Sequence, residues 1–203
     1  ERAVAAGVFV ASAGDELGGQ GRAVAELSHL VVRDIAPRDD GLYGFGVYAQ
    51  GAADLVTQSE VTVRAILIEE VFTAGLLALE AEANVLDSQV RAIATAESSR
   101  EFGGEFGDGV VLQRYFVGAP PLAALIDGLV VEGVARAGVA SFGADVALSN
   151  LLSSCNPIHL NGEANFEGLP YGYTVSGDNA CGCGVLEECK VLSSGISPPP
   201  LLD

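Results

Sequence analysis

Residues 60–98 constrain the fold of this chain more than any other stretch. The segment EVTVRAILIEEVFTAGLLALEAEANVLDSQVRAIATAES holds few breakers besides Gly75. Its apolar positions 63, 66, 67, 71, 74, 77, 85 and 93 mostly recur at the three- and four-residue steps of a helix face. One helix over this span would be about 57 Å long, so a bend near Gly75 is expected. The same periodicity predicts helices over 1–16, 22–35, 42–56 and 122–152, although Tyr43, Phe45 and Val47 alternate as a strand would. Gly18-Gly19-Gln20-Gly21, Pro37 with Arg38-Asp39-Asp40-Gly41, and the Gly-rich run 100–121 separate them, and Pro120-Pro121 open the last helix. The expected fold is mainly α: an antiparallel helical bundle over 1–152, followed by an irregular, disulfide-stapled tail over 153–203 that ends in Pro198-Pro199-Pro200. AELSHLVVRDIAPRDDG and AALIDGLVVEGVARAGV echo each other, too faintly to argue a duplication.

Composition narrows the partners. Acidic residues number 27 against 10 basic ones, a formal charge of −17, with Lys190 the only lysine. Nucleic acid and anionic membrane both need positive fields, so neither is an expected partner. The surplus acid reads as a soluble, self-repelling surface, with cation attraction as the alternative. No apolar run is long enough for a membrane-spanning helix. Residue 1 is Glu and no signal-peptide pattern appears, so a processed form is expected. Cys155, Cys181, Cys183 and Cys189 cluster in the last quarter, which points to disulfides and an oxidising compartment. Their spacing lacks a zinc knuckle, and three pairings are open.

Three residues are candidate metal ligands: Glu26, His29 and Glu80. On a helix, Glu26 and His29 would share one face, the spacing that bundles use to hold iron or manganese. Glu80 sits in the long helical segment with Glu69, Glu70 and Glu82, but Ala83 stands where a second imidazole would belong. The run GGEFGDG (103–109) carries acids and no Lys, so it makes a poor phosphate cradle. Asp178, Asn179, Glu187 and Glu188 lack calcium-loop spacing. His159, after Pro157, reads as a surface residue.

The segment AGLLALEAEANVLDSQVRAI (74–93) resembles the fourth bundle helix of the ferritin-like domain in desiccation-related and stress-response proteins of plants, algae and fungi. GFGVYAQGAADL (44–55) is similar to the preceding helix, AELSHLVVRDI (25–35) to the second, and Ser154-Cys155-Asn156-Pro157 to a stretch after the bundle in fungal members. The resemblance implies a ferritin-like bundle and a carboxylate-bridged two-metal centre. Only Glu26, His29 and Glu80 survive of that ligand set, since 42–56 holds no Glu and only Glu1 or Glu16 could serve from the first helix. The metal site is thus expected to be degenerate, with no cofactor or weakly bound iron, manganese or zinc.

The expected function is a non-catalytic, secreted or cell-surface structural or stress-protective protein that forms homo-oligomers or larger assemblies. The alternatives are a metal-binding protein with a reduced site and a module that holds an apolar ligand or pigment.

Overall fold

The computed structural model describes residues 6–11, 22–37, 43–51, 58–95, 106–116, 118 and 121–199. Among them there is no helix. The chain winds into a coil with three strands per turn. The first turn comprises β1 (Ala6–Ala11), β2 (Val24–Ser28) and β3 (Val31–Ile35). The second comprises β4 (Phe45–Gln50), β5 (Ser59–Arg64) and β6 (Leu67–Val71), and the third β7 (Ala74–Leu79), β8 (Ala81–Leu86) and β9 (Gln89–Arg91). The fourth is β10 (Asp108–Gln113), β11 (Ala123–Asp127) and β12 (Val130–Glu132), and the fifth β13 (Ala137–Phe142), β14 (Asp145–Ser149) and β15 (Leu152–Ser154). The sixth is β16 (Ile158–Glu163), β17 (Gly172–Ser176) and β18 (Ala180–Cys183), followed by β19 (Val185–Glu188) and β20 (Val191–Leu192). Equivalent strands of successive turns pair in parallel, giving sheets ordered β1-β4-β7-β10-β13-β16-β20, β2-β5-β8-β11-β14-β17 and β3-β6-β9-β12-β15-β18-β19. Among the described residues only the β18–β19 pair is antiparallel. This is a three-faced parallel β-helix.

The mainly α bundle is therefore overturned, and the tail expected to be irregular supplies the sixth turn. The expected division at 152/153 falls at the start of β15. Residues 1–5, 12–21, 38–42, 52–57 and 96–105 carried parts of the predicted helices and breakers, including Glu1 and Glu16, and lie outside the described residues, as do Pro120 and Pro200.

The corners explain the false helical signal. Val61, Val63, Ile66, Ile68 and Val71 all point into the core. Strand alternation would space them by two, but a left-handed residue at each corner, Ala65 (φ 50°) and Glu70 (φ 54°), adds one residue and resets the phase. Steps of two and three then mingle with outward apolar residues such as Leu67 and imitate helix spacing. Between the second and third sheets the corner residue is His29, Ala65, Asp87, Gly128, Asn150 and Gly177 in successive turns, with φ between 47° and 71°. The N–H of His29, Ala65, Asp87 and Gly128 each donates to a carbonyl of the next turn. The faint echo between 25–41 and 123–139 is real: Ala25–Val32 and Ala124–Val131 are the same corner in turns one and four.

The first sheet holds a second regularity. Gly7, Gly46, Gly75, Gly109 and Gly138 stack in register, each followed by Val or Leu. A Cβ on Gly109 would lie 2.4 Å from the Gly138 oxygen and 2.6 Å from a Val131 methyl. The glycines let the first sheet cross close over the inward row Val32, Ile68, Val90, Val131 of the third. Gly109→Ala should lower stability by about 2–3 kcal/mol, since backbone must move to admit the methyl. Gly133→Ala, with nothing within 4 Å at φ 61°, should cost only about 1 kcal/mol from its left-handed backbone. Urea unfolding of the two variants measures the contrast.

Candidate functional site

The outward side of the first sheet is where buried polar chemistry concentrates. β7, β10 and β13 are buried on both faces. Inward, Leu76, Val110 and Val139 join the main core; outward, Phe45, Tyr48, Leu77, Val111 and Phe142 form a second apolar cluster. The chain after β20 crosses this side as a strap. Ile196 packs on the cluster. Glu163 accepts hydrogen bonds from Ser193 Oγ (2.8 Å) and the Gly195 N–H (2.7 Å), and Asn161 Oδ1 accepts one from the Ser194 N–H (3.1 Å). Burial works against the Glu163 carboxylate, but the donors from Ser193, Gly195, Asn161 and Ser194 outweigh it and hold its pKa below the ordinary range.

Beneath the strap lies a buried ion pair. Arg136 donates from Nε to Asp108 Oδ1 (2.9 Å) and from Nη2 to Oδ2, while Nη1 reaches the Ser197 carbonyl (2.8 Å). The Ala137 N–H adds a third bond to Asp108 (3.0 Å), and the guanidinium lies 5.0 Å from the Phe106 ring centre. Burial pushes the Asp108 carboxyl up, against the pull of Arg136. A cavity of about 240 Å³ lies alongside, lined by Gln113, Phe142, Asn165, Phe166, Ile196 and Pro198.

A polar plug closes the coil's far end. His159 occupies the place of the stacked glycines in the sixth turn, and Ser153 that of inward Val131 in the fifth. Ser153 Oγ lies 2.8 Å from His159 Nδ1 and accepts from Asn156 Nδ2 (2.9 Å), whose Oδ1 accepts from the Val134 N–H (3.0 Å). Ser153 is fully buried, so no substrate carbonyl reaches its oxygen. His159 is half-buried rather than a plain surface residue, and desolvation lowers its pKa. The folded state thus holds its proton less tightly than the unfolded chain, where the pKa is near 6.5. Stability is unaffected above that value and is lost as pH falls below it, through the folded pKa. Urea midpoints at pH 7.5 and 5.5 should drop more for the parent than for His159→Gln.

The expected ligands do not converge. Glu26 faces out from β2 and His29 sits at the corner, both exposed; on a strand their spacing does not bring them together as a helix would. Glu80 lies two turns away, roughly 10 Å along the coil, and is buried at the corner after β7. Its Oε1 accepts from the Tyr115 and Phe116 N–H groups at 2.5 and 2.7 Å. Among the described residues no three His, Cys, Asp or Glu side chains form a group that could hold a metal ion. Asn179 caps the corner, accepting from the Leu151 N–H (2.8 Å). The cysteines pair Cys155–Cys183 and Cys181–Cys189, which fits an extracellular or oxidising environment. Among the described residues no helix is long and apolar enough to cross a membrane.

Comparison with protein-family models, curated proteins and solved structures finds no match. The ferritin-like resemblance is overturned by the parallel strands themselves. Asp108, Arg136 and Glu163 were missed. Asp108 stood inside the run dismissed as a phosphate cradle, and the recurring Gly-Val/Leu pair beside it was the usable signal.

Proposed function

We propose that this chain is a non-catalytic structural protein of the cell surface or extracellular space, a rigid rod that associates with its own copies. One observation carries this reading: the titratable side chains that are best supplied with hydrogen bonds are spent on fastening the coil. Asp108 ties β10 to β13 through Arg136 and the Ala137 N–H. Asp127, held low by Ser149 and Asn150, ties the fourth turn to the fifth. Glu163 anchors the strap, His159 meets Ser153, and the Tyr173 hydroxyl, pushed up by burial, donates to the Asn161 carbonyl (2.9 Å).

The surface supports the same reading. Arg33, Glu69, Arg91 and Glu132 alternate in sign along the third sheet, with Arg91 and Glu69 paired at 2.6 Å. Arg22 bridges Glu60 (2.7 Å) and Glu82 (2.9 Å) beside the second. Such exposed pairs stabilise by about 0–1 kcal/mol each. The two disulfides support this compartment, since they fit an oxidising environment. Fractionation of the source cells with an antibody to the chain tests this: recovery in the envelope or secreted fraction with no free thiols supports it. Recovery from the reducing cytosol with free thiols overturns it.

A further inference from the structure

We propose that two copies of this chain join end to end through their first turns, about a two-fold axis perpendicular to the coil. The inference deepens the self-associating rod and rests on that reading. β1, β2 and β3 are each the terminal strand of their sheets, so one edge of each offers backbone N–H and C=O groups with no strand partner among the described residues. The same end exposes apolar side chains: Phe9 is 56% exposed, Val24 68% and Val31 60%. Val8, Val10 and Leu27, which point at the core, are only partly buried.

Charge and register select a second copy. In a chain of net charge −17, residues 6–11 and 22–36 carry Arg22 and Arg33 against Glu26 and Asp34, a balance of zero. The described part of this end thus carries no net charge, unlike the surface as a whole. A two-fold through β1 sets β1 antiparallel to its own copy and lays β2 against the other copy's β3. Both strands are five residues long. Centred on each other, they place outward Glu26 opposite outward Arg33, and inward Leu27 opposite inward Val32, with the pairing repeated by symmetry. Neither Glu26 nor Arg33 has an ion-pair partner among the described residues. The far end does not offer the same fit. There the third sheet finishes in β19, antiparallel to β18 and tethered through Cys189, with Glu187 and Glu188 exposed. A parallel first turn cannot continue the coil across that reversed strand, so the contact closes as a dimer instead of propagating as a fibre.

Light scattering across a dilution series of the intact protein tests this, with circular dichroism confirming that each variant folds. The expected mass at high concentration is twice 20.7 kDa. Glu26→Arg should weaken dimerisation by about tenfold or more by opposing Arg33, and adding Arg33→Glu should restore it. Val31→Glu should give a monomer, while Leu125→Glu, exposed in mid-coil, should leave the dimer intact. A monomer at all concentrations overturns the proposal. So does an open polymer, or a dimer indifferent to the Glu26 and Arg33 changes. None of these outcomes bears on the compartment, which the fractionation decides separately.

Discussion

Asp108→Ala and Arg136→Ala each lower the stability of the folded protein by about 3–5 kcal/mol, the cost of leaving one member of a buried ion pair alone. Asp108 is fully buried and Arg136 is 8% exposed, so water cannot replace the lost partner. Removing Asp108 strands the guanidinium and frees the Ala137 N–H. Removing Arg136 strands the carboxylate and also cuts the strap loose at Ser197. The paired change Asp108→Leu/Arg136→Met should lose much less than the sum of the single changes, because no uncompensated charge remains. Chemical denaturation of the four proteins at pH 7 gives the comparison. If either single variant loses under 1 kcal/mol, the pair is not the fastening that the geometry indicates.

Replacing Cys155 and Cys183 together by Ala costs about 3–4 kcal/mol, and replacing Cys181 and Cys189 about 2–3. The ranking follows from the loops closed, with sequence separations of 28 and 8 residues. The longer link restrains the unfolded chain more. It also joins equivalent corners of the fifth and sixth turns, beside the bond from the Cys155 N–H to the Gly182 carbonyl (3.0 Å). Guanidinium midpoints of the two double variants should fall in that order, and adding reductant should bring the parent to or below the lower of them. Equal midpoints would falsify the loop-entropy account.

What the sequence made legible was local chemistry. The clustered cysteines announced disulfides, and the acidic surplus announced an anionic surface. The architecture was obscured by the corners. Sequence intervals between successive turns vary because segments such as 92–107 and 114–122 differ in length from their counterparts, so no fixed period appears. The Gly-Val/Leu pairs at 7, 46, 75, 109 and 138 carried the repeat, but glycine in an apolar setting was taken as a helix interruption. Glu26 and His29 drew notice through a spacing that has meaning only on a helix. On a strand, parity decides which face a residue takes, and the left-handed corner residue then changes that parity. Glu80 was picked out for metal and instead caps two backbone N–H groups of the following turn.

The two kinds of corner have different tolerances, and that bears on how this protein could be engineered. Between the second and third sheets the first five turns allow two residues each: His29-Leu30, Ala65-Ile66, Asp87-Ser88, Gly128-Leu129 and Asn150-Leu151. One added residue there would turn every following side chain of the strand from core to solvent. Between the first and second sheets the connection varies in length, from Glu80 alone after β7 to residues 12–23 after β1. Foreign peptides spliced after Phe116, beyond the two N–H groups that Glu80 caps, or after Glu167, would therefore be displayed along a single edge of the rod, two turns apart, without changing the phase of the strands.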